Sequence, residues 1–177
     1  FPENSSGQMY LVENILQAET LKVNQPENLC LVTQTTLSVS DTEEIVLKLK
    51  EKFPMLQEPK SEDICYATQN RQDAVKQLAL ESDLILVVGS ENSSNSTRLK
   101  ELAENCGVKS FLVDDPEKIS SINLEGVKIM GITAGASAPE ELVQQMVSKC
   151  STLGYKVNQE ISGLKEEVFF KLPAELR

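Results

Sequence analysis

Apolar residues along this chain fall into two kinds of run, and the two kinds alternate. Leu84-Ile85-Leu86-Val87-Val88 is apolar throughout and stops at Gly89, the pattern of a strand covered on both faces. Ser110-Phe111-Leu112-Val113 and Val127-Lys128-Ile129-Met130-Gly131-Ile132 read as further strands, and Leu29-Cys30-Leu31-Val32 as a buried strand near the start. Helical spacing links Ile45, Val46, Leu49 and Phe53, behind a capping box from Ser40 to Glu43 and ahead of the stop at Pro54. Ala74, Val75, Leu78 and Ala79 share the face of a second helix, with Thr68 as its predicted N-cap. Leu99, Leu102, Ala103 and Cys106 mark a third, closed by Gly107. Leu142, Val143, Met146, Val147 and Cys150 mark a fourth, opened by a capping box from Ser137 to Glu140 and ended by Gly154.

Strands alternating with helices of this length predict βα units and a parallel sheet, so the fold class is α/β. Residues 61–153 make one complete layered domain of this kind. Residues 1–60 supply a partial one. Residues 154–177 form a C-terminal tail with one strand-like run, Val168-Phe169-Phe170-Lys171-Leu172.

The loops between these runs are unusual. Thr33-Gln34-Thr35-Thr36, residues 90–96 and residues 133–139 are rich in hydroxyl and amide side chains, and each joins a strand-like run to a helix-like run. In open parallel sheets, ligands bind at the carboxyl ends of strands, where helix starts offer unpaired N–H groups. Neutral donors at several helix starts suit a polyanion such as a diphosphate. Taken singly, Thr35, Thr36 and Ser137 are ordinary turn and cap residues. Asn92-Ser93-Ser94-Asn95 exceeds what one cap requires, and there ligand binding is the favoured reading. The chain has neither a Walker lysine nor a G-x-G-x-x-G, so the usual kinds of nucleotide binding are not supported.

Composition narrows the field. The 177 residues carry 17 basic and 27 acidic side chains, a formal net charge of −10. That balance argues against sequence-independent nucleic acid binding and against attraction to anionic membrane. No apolar run approaches the ~20 residues of a membrane-spanning helix, and the residues from Phe1 on read as lacking the basic n-region and apolar h-region of a secretory signal. With no His and no C-x-x-C pair among the four cysteines, a self-contained zinc site is not expected. Free thiols in a reducing, cytoplasmic setting are the default. Cys30, Cys106 and Cys150 fall on apolar stretches and read as core thiols. Cys65 instead precedes a helix start, where the dipole favours negative charge. It is a nucleophile, a metal ligand or a buried thiol. Because the chain begins at Phe1 without an initiator Met, it is expected to start inside a longer protein.

Taken together, the motifs resemble one family. Asp63-Ile64-Cys65-Tyr66-Ala67-Thr68 with Asn70-Arg71-Gln72, Val88-Gly89-Ser90 with residues 92–96, and residues 131–139 resemble the 4-hydroxy-3-methylbut-2-enyl diphosphate reductases (LytB/IspH). Thr33-Gln34-Thr35-Thr36-Leu37-Ser38 and Met9-Tyr10-Leu11-Val12-Glu13 agree in order. The resemblance implies a three-domain enzyme around a 4Fe-4S cluster held by one cysteine from each domain. It implies an oxidoreductase that removes the allylic hydroxyl of its diphosphate substrate in the last step of non-mevalonate isoprenoid synthesis. Ferredoxin or flavodoxin is the implied electron donor, and cytoplasm or plastid stroma the implied location. By resemblance, Cys65 matches the third-domain cluster ligand. Ser93, Asn95 and Ser137 match residues that hold the diphosphate, with Ser94 and Thr68 beside them. Thr35 matches a threonine near the substrate hydroxyl and the proton path.

The family's first domain, its other two cluster cysteines, its histidines and its proton-donating glutamate are expected upstream of Phe1, with the tail packing on that first domain. On its own the chain is therefore expected to be catalytically silent. Two other readings stand beside this one. The first is a non-enzymatic α/β module binding a phosphorylated ligand, which gives Cys65 no role. The second is a subunit or interaction domain with exposed apolar surface.

Overall fold

The structure, a computed structural model, describes residues 7–59 and 63–158. The chain divides into two compact units, Phe1–Ile64 and Cys65–Arg177. The strand-like run at residues 168–172 lies outside the described residues.

In the first unit, helix α1 (Ile15–Thr20) begins at Asn14, whose side chain accepts from the Gln17 N–H. Helix α2 (Val39–Lys52) packs on it through Ala18, Leu49 and Phe53. Its N-cap is Ser38, buried, which accepts from the Asp41 N–H at 3.3 Å. The capping box expected at Ser40 therefore does not form, because a serine two residues earlier takes the role. The expected buried strand at residues 29–32 is also corrected. Only an isolated parallel bridge joins Cys30 to Gln57. Leu29 and Leu31 turn toward the small core, while Cys30 and Val32 are exposed. Alternating burial leaves the Cys30 thiol outside the core, contrary to the sequence reading.

The second unit is an α/β layer. Its strands are β1 (Leu84–Val88), β2 (Lys109–Val113) and β3 (Met130–Ala134), in the order β2-β1-β3 and all parallel. Leu84 lies opposite Lys109 and Met130, and Val88 opposite Val113 and Ala134. Every residue of β1 is buried, as its unbroken apolar run predicts. Leu84, Leu86 and Val88 pack with Ile119, Met146 and Cys150 on one face. Ile85 and Val87 pack with Val75, Leu99 and Ala103 on the other. Each fully buried side chain of this size contributes about 1.5–3 kcal/mol on leaving water. Helices α3 (Tyr66–Ala79) and α4 (Ser94–Asn105) therefore cover one face, and α5 (Glu140–Thr152) covers the other.

Several boundaries differ from the periodicity. β3 starts at Met130 rather than Val127, because the Asp83 carboxylate captures the Lys128 and Ile129 N–H groups at 2.9 and 2.8 Å. Thr68 lies inside α3, whose N-cap is Cys65. α5 begins at Glu140 with Pro139 as N-cap, so the Ser137 capping box does not form. Cys106 caps the end of α4 and is exposed, which corrects its placement in the core; Cys150 is buried as expected. Gly107 and Gly154 close α4 and α5 in the left-handed region, at φ +84° and +96°. There a side chain would be strained, and the Val108 and Tyr155 N–H groups satisfy the orphan carbonyls of Ala103 and Cys150. Among the described residues, no helix is long and apolar enough to cross a membrane.

Candidate functional site

Parallel pairing brings the carboxyl ends of β1 and β3 to one edge of the sheet. From there the chain after β1 enters α4 on one face, and the chain after β3 enters α5 on the other. Adjacent strands whose following helices diverge in this way leave a crevice between their loops, the usual ligand position in open α/β sheets. Residues 89–93 and 135–139 are the loops that follow the two strands there. The Gly135 N–H donates to the Val88 carbonyl at 2.9 Å, and the Gly89 N–H donates to the Val113 carbonyl at 3.1 Å. Ser96, fully buried in the first turn of α4, sits against both glycines: a Cβ on either would overlap its Oγ. That close approach is what the two glycines permit.

The start of α4 is held from within. Ser93 is its N-cap and accepts from the Ser96 N–H at 3.3 Å and from the Ser96 hydroxyl at 3.0 Å. Asn92 donates its N–H to the Ser90 hydroxyl at 3.2 Å. Ser94 is exposed. Asn95 is only 7% exposed, and neither its Oδ1 nor its Nδ2 has a hydrogen-bond partner. A buried amide left with both ends unpaired costs about 1–3 kcal/mol and is rare in native folds. Across the crevice, Ser137 is exposed and caps nothing, since α5 begins behind Pro139.

α3 reaches the same edge from the other direction. It enters β1 through the short turn at residues 80–83, so it runs antiparallel to the strands and starts at their carboxyl end. Cys65 stands at that start. Its thiol is free and half-buried, and its carbonyl accepts from the Thr68 and Gln69 N–H groups at 2.9 and 3.0 Å. Thr68 is buried in the first turn. Arg71 follows, roughly 9 Å along the axis from Cys65 at 1.5 Å per residue, and its Nη1 donates to the Ala134 carbonyl at 3.2 Å. All the candidate residues except Thr35 thus belong to the second unit. Thr35 lies in the first, exposed in the turn where the Leu37 N–H donates to the Gln34 carbonyl.

A LytB protein family model matches residues 3–151. The chain belongs to the LytB family. It is 53% identical over 175 residues to a 4-hydroxy-3-methylbut-2-enyl diphosphate reductase of Aeromonas salmonicida, covering 99% of this chain and 56% of that protein. It is 54% identical to the corresponding reductase of Chromohalobacter salexigens, with 97% and 54% covered. The solved E-1-hydroxy-2-methyl-but-2-enyl-4-diphosphate reductase of Plasmodium falciparum superposes with a TM-score of 0.70 at 38% identity, over 78% of this chain and 44% of that one. The chain spans about half the length of the curated relatives it matches.

Within this LytB chain, two residues that the sequence reading quoted in its motifs without a role of their own stand out in the structure. Ser96 looks like one more hydroxyl in a serine-rich run, and only the two glycines packed against it reveal its position. Arg71 lies in the second turn of α3, and its position likewise emerges only from its partner, the Ala134 carbonyl at the end of β3.

Proposed function

We propose that the intact protein carrying this chain is a 4-hydroxy-3-methylbut-2-enyl diphosphate reductase, and that this chain contributes the diphosphate crevice and one ligand of its iron-sulfur cluster. The observation that carries the reading is the Asn95 amide, buried at a helix start in the switch-point crevice with both polar ends unpaired. A diphosphate oxygen satisfies Nδ2 there. Ser93, Ser94 and Ser137 offer hydroxyl donors around it, with Thr68 beside them. The N–H groups at the start of α4 add their dipole, which favours an anion in a chain of net charge −10.

The donor set fits one corner of a cluster. Among the described residues, no three His, Cys, Asp or Glu side chains come together to hold a metal ion. Cys65 offers a single half-buried thiol at the sheet edge that carries the crevice. A cubane needs further cysteines, which the reading assigns to the rest of the intact protein. When bound, the cluster supplies electrons and a Lewis-acidic iron for the allylic hydroxyl. Overall, two electrons and two protons are consumed; the C–O bond breaks, one proton leaves with the hydroxyl as water, and the other ends on carbon. A soluble donor such as ferredoxin or flavodoxin provides the electrons, in cytoplasm or plastid stroma. In this reading the work of the chain's own residues is to bind and orient the diphosphate. Thr35 is proposed to lie near the substrate hydroxyl and the proton path. Residues 1–60 and 61–153 are proposed as the later two of three domains, with 154–177 packing on the first.

The test is anaerobic reconstitution of the intact protein with iron and sulfide, comparing wild type with Cys65→Ser. The reading expects the variant to lose the cluster absorbance and more than about 100-fold in reductase activity, beyond the range typical of an outer-shell change. A variant that keeps its iron and its turnover would overturn Cys65 as a cluster ligand, whereas a wild type that takes up no cluster and reduces nothing would favour a phosphate-binding module in which Cys65 has no part.

A further inference from the structure

Resting on the diphosphate crevice just proposed, we infer that Arg71 is a positioning residue for it: its guanidinium ties helix α3 to the end of β3 and so sets the loop that carries Ser137. Three observations meet at this residue. First, Nη1 donates to the Ala134 carbonyl at 3.2 Å, immediately before Gly135 and three residues before Ser137. Second, Arg71 makes no ion pair among the described residues, although acidic side chains outnumber basic ones in the chain. Third, its Nε is buried and has no hydrogen-bond partner.

The ion pair is what separates Arg71 from Arg98 on the neighbouring helix, whose Nε is also buried and unpartnered but which pairs with Glu101 at 2.9 Å. Arg71 instead spends its charge on a neutral carbonyl at the ligand edge of the sheet. A guanidinium stays charged at any working pH and donates in a fixed fork. Held half-buried with no carboxylate paired to it among the described residues, it leaves a local positive potential beside the crevice that an incoming anion neutralises. The same bond fixes the loop. Gly135 is gripped by Val88 on one side, and the carbonyl just before it by Arg71 on the other. Ser137 has no cap bond to anchor it; its loop is held by these two attachments together with the Ala138 N–H, which donates to the Gly135 carbonyl at 3.0 Å, and by Ala138 against the core.

The residue also links the two chemistries of the proposed site. It lies on the helix that begins at Cys65 and holds the strand that leads to Ser137. A shift of the diphosphate loop is thereby transmitted to the cysteine helix.

The experiment uses the intact protein with Arg71→Met, which keeps bulk and removes charge and donors, and Arg71→Lys, which keeps the charge. Sodium diphosphate is titrated calorimetrically, and amide exchange of residues 135–138 is followed in the same samples. The methionine variant should bind diphosphate about tenfold more weakly and exchange the loop amides about tenfold faster, while the α4 amides hold their rates. Lysine should rescue at least part of both. Unchanged affinity and unchanged loop exchange in Arg71→Met would overturn the inference, as would general unfolding in that variant with no rescue by lysine. If wild type ignores diphosphate, the crevice reading fails; the exchange rates then decide separately whether Arg71 sets the loop.

Discussion

The two edges of the sheet in the second unit treat a short polar side chain in opposite ways. At the amino edge, the Asp83 carboxylate accepts from two successive backbone N–H groups, those of Lys128 and Ile129, and its own N–H donates to the Ile129 carbonyl. At the carboxyl edge, the Asn95 amide is buried with both atoms unpaired. Asp83 spends its polar groups on closing the fold, although the neighbouring Ser82 hydroxyl is also buried and unpartnered. Asn95 withholds both ends of a whole amide from the fold, at a cost of about 1–3 kcal/mol. In the proposed reading that amide is kept for something that binds.

The contrast can be strained from the carboxyl edge first. Gly135→Ala forces a Cβ into Ser96 Oγ, itself buried and bonded to Ser93. Overpacking of this kind costs about 1–3 kcal/mol, read as a lower urea midpoint, and diphosphate affinity should fall with it. Ser93 and Ser137 make a finer pair. Ser93→Ala removes a helix cap and should lower stability by about 1 kcal/mol. Ser137→Ala removes a hydroxyl that caps nothing, so its stability should change by less than about 0.5 kcal/mol. Both should weaken diphosphate binding in calorimetry. Equal stability losses would mean that Ser137 serves the fold after all.

The smallest effect belongs to the amino edge. Hydrogen bonds from the Ile129 N–H, then the Lys128 N–H, hold the Asp83 carboxyl below its ordinary value of 3.8. A lowered folded-state value means that the stabilisation is fully present above 3.8 and is lost as pH falls through the folded value. Denaturant midpoints should therefore show a shallow acid limb below that point, flattened in Asp83→Asn, with diphosphate affinity at neutral pH untouched.

Much of this was legible in the chain. Leu84-Ile85-Leu86-Val87-Val88 announced a central strand because a strand covered on both faces has no polar alternation to show. The serine-rich loops announced the ligand edge because parallel topology sends the ends of β1 and β3 to one place. What stayed hidden depends on contacts distant in sequence. Nothing local tells that Asp83 delays β3 or that Cys106 lies past the end of its helix in solvent; the choice of Ser38 over Ser40 as the cap of α2 is local, and periodicity alone does not separate two serines two residues apart. Arg71 and Ser96 belong to the same class, since each is defined by what packs on it from another element. The role of Cys65 rests on family resemblance and on its place at the start of α3.

The most direct test is Asn95→Leu, which keeps the volume and removes both unpaired polar atoms. If the amide is held for a ligand, the variant should be more stable than wild type by about 1 kcal/mol, with a melting temperature a few degrees higher, and should lose diphosphate binding. A variant that melts lower and binds diphosphate as wild type does would contradict the account.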